Sequence, residues 1–395
     1  MADLQDELNA LPEAGELQDR AQTAPFAPQP PPRADRSPRG PHGGQRSEPE
    51  SGPLERARAL LAAHPVVDGH SGLPWALRDL PWYDLRLGES GVETDVLRLR
   101  EDHVAALLWS LHLPEALAGD RAVGATLEQL DLVRSVIAEH PEGLRLARSA
   151  GHVIDARNCG RVAVVLGPAD AAALDDSLGI LRVLHSLGLR VLTLAGASWA
   201  GEAGLTRFGE EVVREMNRIG VLADLSGASD ATIGRALALS KTPVLCTRSG
   251  ARALRAHRDN LSDALLAELG AAKGLCLVPL SAERTGPTVQ DVADHLDHVR
   301  ALAGPECVGL SGAHDPGAQD PGSRAGDAYV PGAAPGYPHL VAELLTRGWP
   351  ETDVALLTWG NVQRVLRSAD FAARAARERR KPSTARITDL DATAD

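Results

Sequence analysis

Apolar positions fall into short continuous runs separated by stretches of helical periodicity. The runs are Val66–His70, Val104–Trp109, Val162–Leu166, Val191–Leu194, Val221–Leu225, Val244–Thr247, Leu275–Leu280 and Val308–Leu310. Each is partly β-branched and apolar at almost every position, as expected of strands buried on both faces of a parallel sheet. The intervening stripes repeat at three or four residues. They are Leu127, Leu130, Val133 and Ile137; Leu178, Leu181 and Leu184 behind a capping Ser177; Val212, Val213, Met216 and Ile219; Val292, Leu296 and Val299; and Leu340, Val341, Leu344 and Leu345. Such stripes mark helices that lay one face on a sheet. Eight strands alternating with helices predict a single (β/α)8 TIM-type barrel of the α/β class. The alternative is an open doubly wound sheet. No GxGxxG fingerprint follows the first strand, which weighs against its nucleotide-binding form.

The pattern is absent at the start of the chain. From Thr23 to Pro53 the sequence is rich in Pro, Arg, Ser and Gly and holds hardly any large apolar side chain. Such a segment buries too little surface to offset the entropy of ordering it. Residues 1–53 are therefore expected to be a disordered tail, in which Leu4, Leu8 and Leu11 are spaced for a short amphipathic helix. A helix through Ala63 opens the globular part. The barrel is expected over residues 54–370, with a C-terminal extension from 371 to 395.

Composition narrows the function classes. The 395 residues are 44% hydrophobic, enough for a sizeable core, and carry a formal charge of −12. That charge opposes phosphate backbones and argues against a nucleic-acid partner. No apolar run approaches the roughly 18 residues of a membrane span. The first residues are acidic and lack the apolar centre of a secretory signal, so a cytoplasmic location is expected. Cys159, Cys246, Cys276 and Cys307 are far apart with no CxxC spacing. Buried free thiols are expected rather than a structural zinc site.

Several stretches resemble the membrane (renal) dipeptidase family of zinc peptidases, peptidase family M19. They begin with Asp68-Gly69-His70 and Leu73-Pro74-Trp75, and continue through Thr94-Asp95, Leu108-Trp109-Ser110 and Thr126-Leu127-Glu128-Gln129. Then come Asp175 with Ser177-Leu178, Leu192-Thr193-Leu194, Phe208-Gly209, Asn217-Arg218, Asp224-Leu225-Ser226, Val292 to His298 and Thr358-Trp359-Gly360-Asn361. The likeness runs in order from about residue 54 to 368. It implies a (β/α)8 barrel, peptide-bond hydrolysis, a dimer and two zinc ions at the carboxyl ends of the strands.

The resemblance also implies five ligand positions, and here most have changed. His70 keeps its type. The Asp that should follow two residues later is Gly72, and the bridging Glu is Ala169. The His after strand five is Gly227, and the His after strand six is Arg248. A metal pair needs a bridging carboxylate and imidazoles to hold it while a shared water is ionised. The substrate-contacting His falls at Gly196, the substrate-binding Arg at Asp259 beside Arg258, and the strand-eight Asp at Ala313. A carboxylate one residue out of register, such as Asp170, is expected to face the other way while it remains in a strand.

No bound cofactor is therefore expected, and the chain reads as a pseudoenzyme that pairs with itself or with an active relative. A second reading is a working zinc dipeptidase with a substitute ligand set of His70, Asp170, His314 and Asp315. A third is a module that binds a small anion or peptide, or regulates a partner, through Arg248 and Arg258, because a guanidinium matches a carboxylate. In that third reading Arg248 competes with the plainer alternative of pairing with Asp224 or Asp259. His314-Asp315 is the candidate for acid–base work. His295 and His298 are expected to serve structure. No GxSxG or Cys–His arrangement supports covalent catalysis.

Overall fold

The structure is a computed structural model that describes residues 52–79, 84–86, 94–114, 116–117, 119–312 and 336–391. The chain divides into Met1–Glu50 and Ser51–Asp395. The first unit, with its Leu4, Leu8 and Leu11 pattern, lies outside the described residues.

All eight apolar runs form strands of one parallel sheet. They are β1 Val66–Ser71, β2 Val104–Leu111, β3 Val162–Asp170, β4 Val191–Thr193, β5 Leu222–Asp224, β6 Leu245–Cys246, β7 Leu275–Pro279 and β8 Val308–Ser311. Each pairs with the next, and β1 also pairs with β8 through Asp68 and Leu310, so the sheet closes into a (β/α)8 barrel. β1 is irregular: its register against β2 shifts between Val66 and Val67 and again between Asp68 and Ser71. An additional strand, Leu144–Leu146, pairs with the first half of β3. Ala200–Gly201 and Gly204–Leu205 form a small antiparallel hairpin after β4. Both are too short to leave a periodic signal.

Alternation along the strands sorts the core into two clusters. Val67, Leu108, Val165, Val191, Leu222, Leu245, Leu275 and Leu277 pack together with Val362, Val365, Leu366 and Ala369 of the helix Asn361–Arg379. That helix sits where the strands begin: Asn361 donates to Pro305 O and Val308 O at 2.8 Å each, and Arg364 to Lys273 O at 2.7 Å. It closes the barrel floor and runs past residue 370 without a break. Leu277 fills the interior against two strand glycines. A Cβ at Gly69 would lie 2.7 Å from one of its methyl carbons, and a Cβ at Gly309 would lie 2.4 Å from the other. The second cluster joins the outward strand faces to the surrounding helices.

The helical stripes are found where expected. Ser177 accepts from Ile180 N and caps Leu178–Leu187, whose Leu178, Leu181 and Leu184 are buried. One position departs from the pattern. Leu127 is 40% exposed, while Leu130, Val133 and Ile137 of the same helix are buried. The floor ends of the strands are thus apolar and closed, and the other ends carry the polar side chains.

Candidate functional site

At the carboxyl ends of the strands lies a cavity of about 510 Å3. Loops after β2, β3, β4, β5, β6 and β7 contribute Leu113, Asp170, Gly196, Gly227, Arg248 and Arg284 to its lining, among others. This is the face on which (β/α)8 enzymes place their chemistry.

Two buried carboxylates hold the rim in shape. Asp68 on β1 accepts from His70 N at 3.0 Å, Gly312 N at 2.7 Å and the Tyr337 hydroxyl at 2.8 Å. It ties β1 to the end of β8 and to the helix Tyr337–Thr346. Asp224, at the end of β5, accepts from Thr193 Oγ1 at 2.8 Å, Ser226 Oγ at 2.9 Å and Thr247 N at 2.8 Å. A buried carboxylate is tolerated when several donors replace its water. Ser226 then accepts from Arg248 N at 3.1 Å, so Asp224 also fixes where Arg248 leaves its strand.

Arg248 enters a chain of polar contacts across the mouth. Its guanidinium Nη2 lies 3.2 Å from His112 Nε2, and His112 Nδ1 makes a short hydrogen bond with Asp170. A guanidinium has no lone pair to offer, so Nε2 must be the acceptor and Nδ1 must carry the proton. Asp170 also accepts from Leu113 N at 2.7 Å. His70 stacks on His112 with ring centroids 6.0 Å apart. All four side chains are at most 12% exposed. The residue class suited to proton transfer is present, but its outer nitrogen faces a permanent cation.

Asp170 corrects the register argument. As the last residue of β3, before the turn Ala171–Leu174, it lines the cavity rather than facing away from it. The described side-chain bond of Arg248 runs to His112, and Asp259 has two other arginines beside it. Arg258 Nε lies 3.2 Å and Arg284 Nη2 3.5 Å from its two oxygens. Arg258 is 82% exposed and leans on Asp259, and both of them line the same cavity as Arg248. His257 Nε2 is 3.2 Å from Glu283 Oε1.

His314, Asp315 and Ala313 lie outside the described residues. His295 serves structure: its Nδ1 accepts from Ala251 N at 2.9 Å and anchors the loop that follows Arg248. Burial, then the nearby charges of His298 and Arg255, push its pKa down to about 4. His298 pairs with Asp263 at 2.8 Å. The four thiols are free. Cys246, Cys276 and Cys307 are buried as expected, but Cys159 is exposed. Burial raises the Cys276 thiol to about 12, which leaves it unreactive.

The family model for membrane dipeptidase, peptidase family M19, matches residues 54–380. The chain belongs to this dipeptidase family. Dipeptidase 3 of Mus musculus is 36% identical over 339 residues, covering 80% of this chain and 66% of the mouse protein. The chain thus spans about two thirds of the length of that relative. The crystal structure of the probable dipeptidase PvdM from Pseudomonas aeruginosa superposes with a TM-score of 0.70 at 17% identity, covering 81% of this chain and 99% of PvdM. A metallo peptidase from Rhodobacter sphaeroides, solved with a phosphinate mimic of the dipeptide L-Ala-D-Ala, superposes at 0.66 with 22% identity, covering 77% and 99%. These two structures share the fold.

The donor set of this dipeptidase-family chain does not fit a two-zinc centre at the family positions. Gly72, Ala169 and Gly227 offer no side-chain donor, and Arg248 brings a cation. Ala169 is fully buried, one residue short of the rim acid. Among the described residues, no three of His, Cys, Asp and Glu group so as to hold a metal ion. Gly227 and Gly196 hold φ of +74° and +73°, in the left-handed region that glycine adopts without strain.

His112 was missed in the sequence. The available signal was a polar residue ending the apolar run of β2, just before Pro114. Gln129, part of the Thr126-Leu127-Glu128-Gln129 stretch, donates through Nε2 to His112 O at 3.3 Å.

Proposed function

We propose that this dipeptidase-family chain does not hydrolyse dipeptides through a metal pair, and that its mouth holds a small carboxylate-bearing or peptide-like ligand against Arg248. The observation that carries the reading is the Arg248 guanidinium, found where the family's resemblance asks for a zinc-binding His and hydrogen-bonded to His112. A bound zinc would bring a second positive charge beside it, at a cost that the missing bridging carboxylate does not offset. In this account Asp170 holds His112, His112 holds Nη2, and the plane of the guanidinium is set before a ligand arrives. Such fixed planar donors favour carboxylates.

Two measurements on the purified full chain test it. The first is zinc content with a dipeptide hydrolysis assay in added zinc. The second is a thermal shift with acetate and with free and amidated dipeptides, on the native chain and on Arg248→Met. The account expects less than one zinc per chain, no turnover, and stabilisation by free carboxylates only when Arg248 is present. Two zincs with turnover would favour the substitute set of His70, Asp170, His314 and Asp315. Stabilisation unchanged in Arg248→Met would reject Arg248 as the anchor.

A further inference from the structure

The family match stops at residue 380, yet the chain continues in a described segment that lies along a barrel helix. That helix, Arg207–Ile219, has 13 residues and so spans about 20 Å from floor to mouth. Near its floor end Arg377 donates to Ile219 O at 2.9 Å. One turn towards the mouth Ser383 N meets Glu215 Oε2 at 3.4 Å, and the long side chain of Arg380 reaches a further turn to Glu211. Arg182 bonds Ser383 O at 2.9 Å and Glu215 at 3.0 Å, while Arg218 takes Glu215 at 2.7 and 2.8 Å. At the mouth end Asp391 accepts from Thr206 Oγ1 at 2.5 Å and from Phe208 N at 3.0 Å. Thr206 is the N-cap of the helix, so Asp391 braces the cap itself.

The braced point leads directly into a cavity wall. Thr206 N donates to Trp199 O at 3.0 Å, and Ala200 N to Ala197 O at 3.0 Å. A Cβ at Gly209 would stand 2.4 Å from Trp199 O, so helix start and loop are in close contact. Ala195 and Gly196, a few residues earlier, line the cavity. The covering segment is itself lightly held. Lys381, Pro382, Thr384, Arg386, Thr388 and Asp389 are exposed, and only Ala385, Ile387 and Leu390 pack partly against the core. Segments with few apolar contacts and exposed backbone open at lower free energy than the core around them. Glu215 keeps Arg182 and Arg218 as partners when the strap leaves, so release does not strand its buried charge.

We propose that residues 381–391 are a releasable strap, and that its docking through Asp391 holds the 195–206 loop and therefore one wall of the cavity. The strap couples the floor helix, from which it extends, to the mouth. It acts whether or not the mouth binds a carboxylate, so its test is independent of that reading.

The test is hydrogen exchange on the full chain, compared with Asp391→Ala and with the double variant Ile387→Ser, Leu390→Ser. The informative amides are Ala200 and Thr206, which make no bond to the strap. We expect both variants to exchange there at least about tenfold faster, with the amides of Leu275, Cys276, Leu277 and Val278 unchanged. Asp391→Asn, which keeps an acceptor, should restore most of the protection and separates bracing from a folding defect. Unchanged exchange at Ala200 and Thr206 would overturn the proposal, as would an equal rise at Leu275, Cys276, Leu277 and Val278.

Discussion

Leu277 lies in β7 and Arg248 just after the neighbouring β6, yet they are held in different ways. Leu277 sits in the closed half of the barrel, where shape decides: two glycines leave room for its two methyl groups, and the floor helix seals the cluster. Arg248 sits at the open end, where hydrogen bonds decide: Ser226 receives its backbone and His112 its guanidinium. Volume-matched packing tolerates many apolar sequences, so the body of a family barrel survives wide change in sequence. A metal pair tolerates almost no change of ligand type. One chain can therefore keep the body intact while its mouth changes chemistry.

The largest effect that sharpens this contrast is expected in the body. Leu277→Ala should cost about 3 kcal/mol in denaturant unfolding, through lost transfer energy and an unfilled cavity. Carboxylate-induced stabilisation at the mouth should persist. A loss of that stabilisation at temperatures where the variant is folded would show that body and mouth are not separable.

Next comes the pH dependence set by His295. Its folded pKa of about 4 lies below the ordinary 6.5, so the unfolded chain binds the proton more readily. The contribution is complete above pH 6.5 and falls as pH drops towards 4, by on the order of 2 kcal/mol. Unfolding free energies between pH 7 and 4 should show this slope, and His295→Gln should flatten it.

A smaller effect is expected at Gly227. Gly227→Ala should cost roughly 1 kcal/mol, because φ of +74° is strained for any side chain even though the space beyond is open. Gly227→His should therefore not by itself restore zinc binding, which metal analysis would read directly.

Last comes Arg248→Met, which should leave the chain folded, because a side chain of similar length fills the space of the guanidinium. Its effect on ligand stabilisation should nevertheless be complete. A large stability loss with ligand binding retained would invert the comparison.

What the sequence revealed divides along the same line. All eight strands were legible because runs buried on both faces carry an unmistakable apolar signature, although β2 and β3 extend past their runs to Leu111 and Asp170. The Leu144–Leu146 strand was not, because three residues carry no period. Of the ligand positions that the resemblance implied, Gly227 and Arg248 line the cavity. The resemblance said nothing of His112, because the contact between His112 and Arg248 joins residues 136 positions apart. Asp170, expected to face away within a strand and to reach the site only from a loop, lines the cavity because the strand and its alternation end at that residue.

The central claim is that the mouth has exchanged a metal pair for a fixed guanidinium. Zinc stoichiometry of the native full chain against Arg248→His, by elemental analysis after dialysis against micromolar zinc, tests it most directly. The account predicts less than one zinc per native chain and no second equivalent in the variant, because Gly72, Ala169 and Gly227 still lack donors. Two equivalents in the native chain would contradict it.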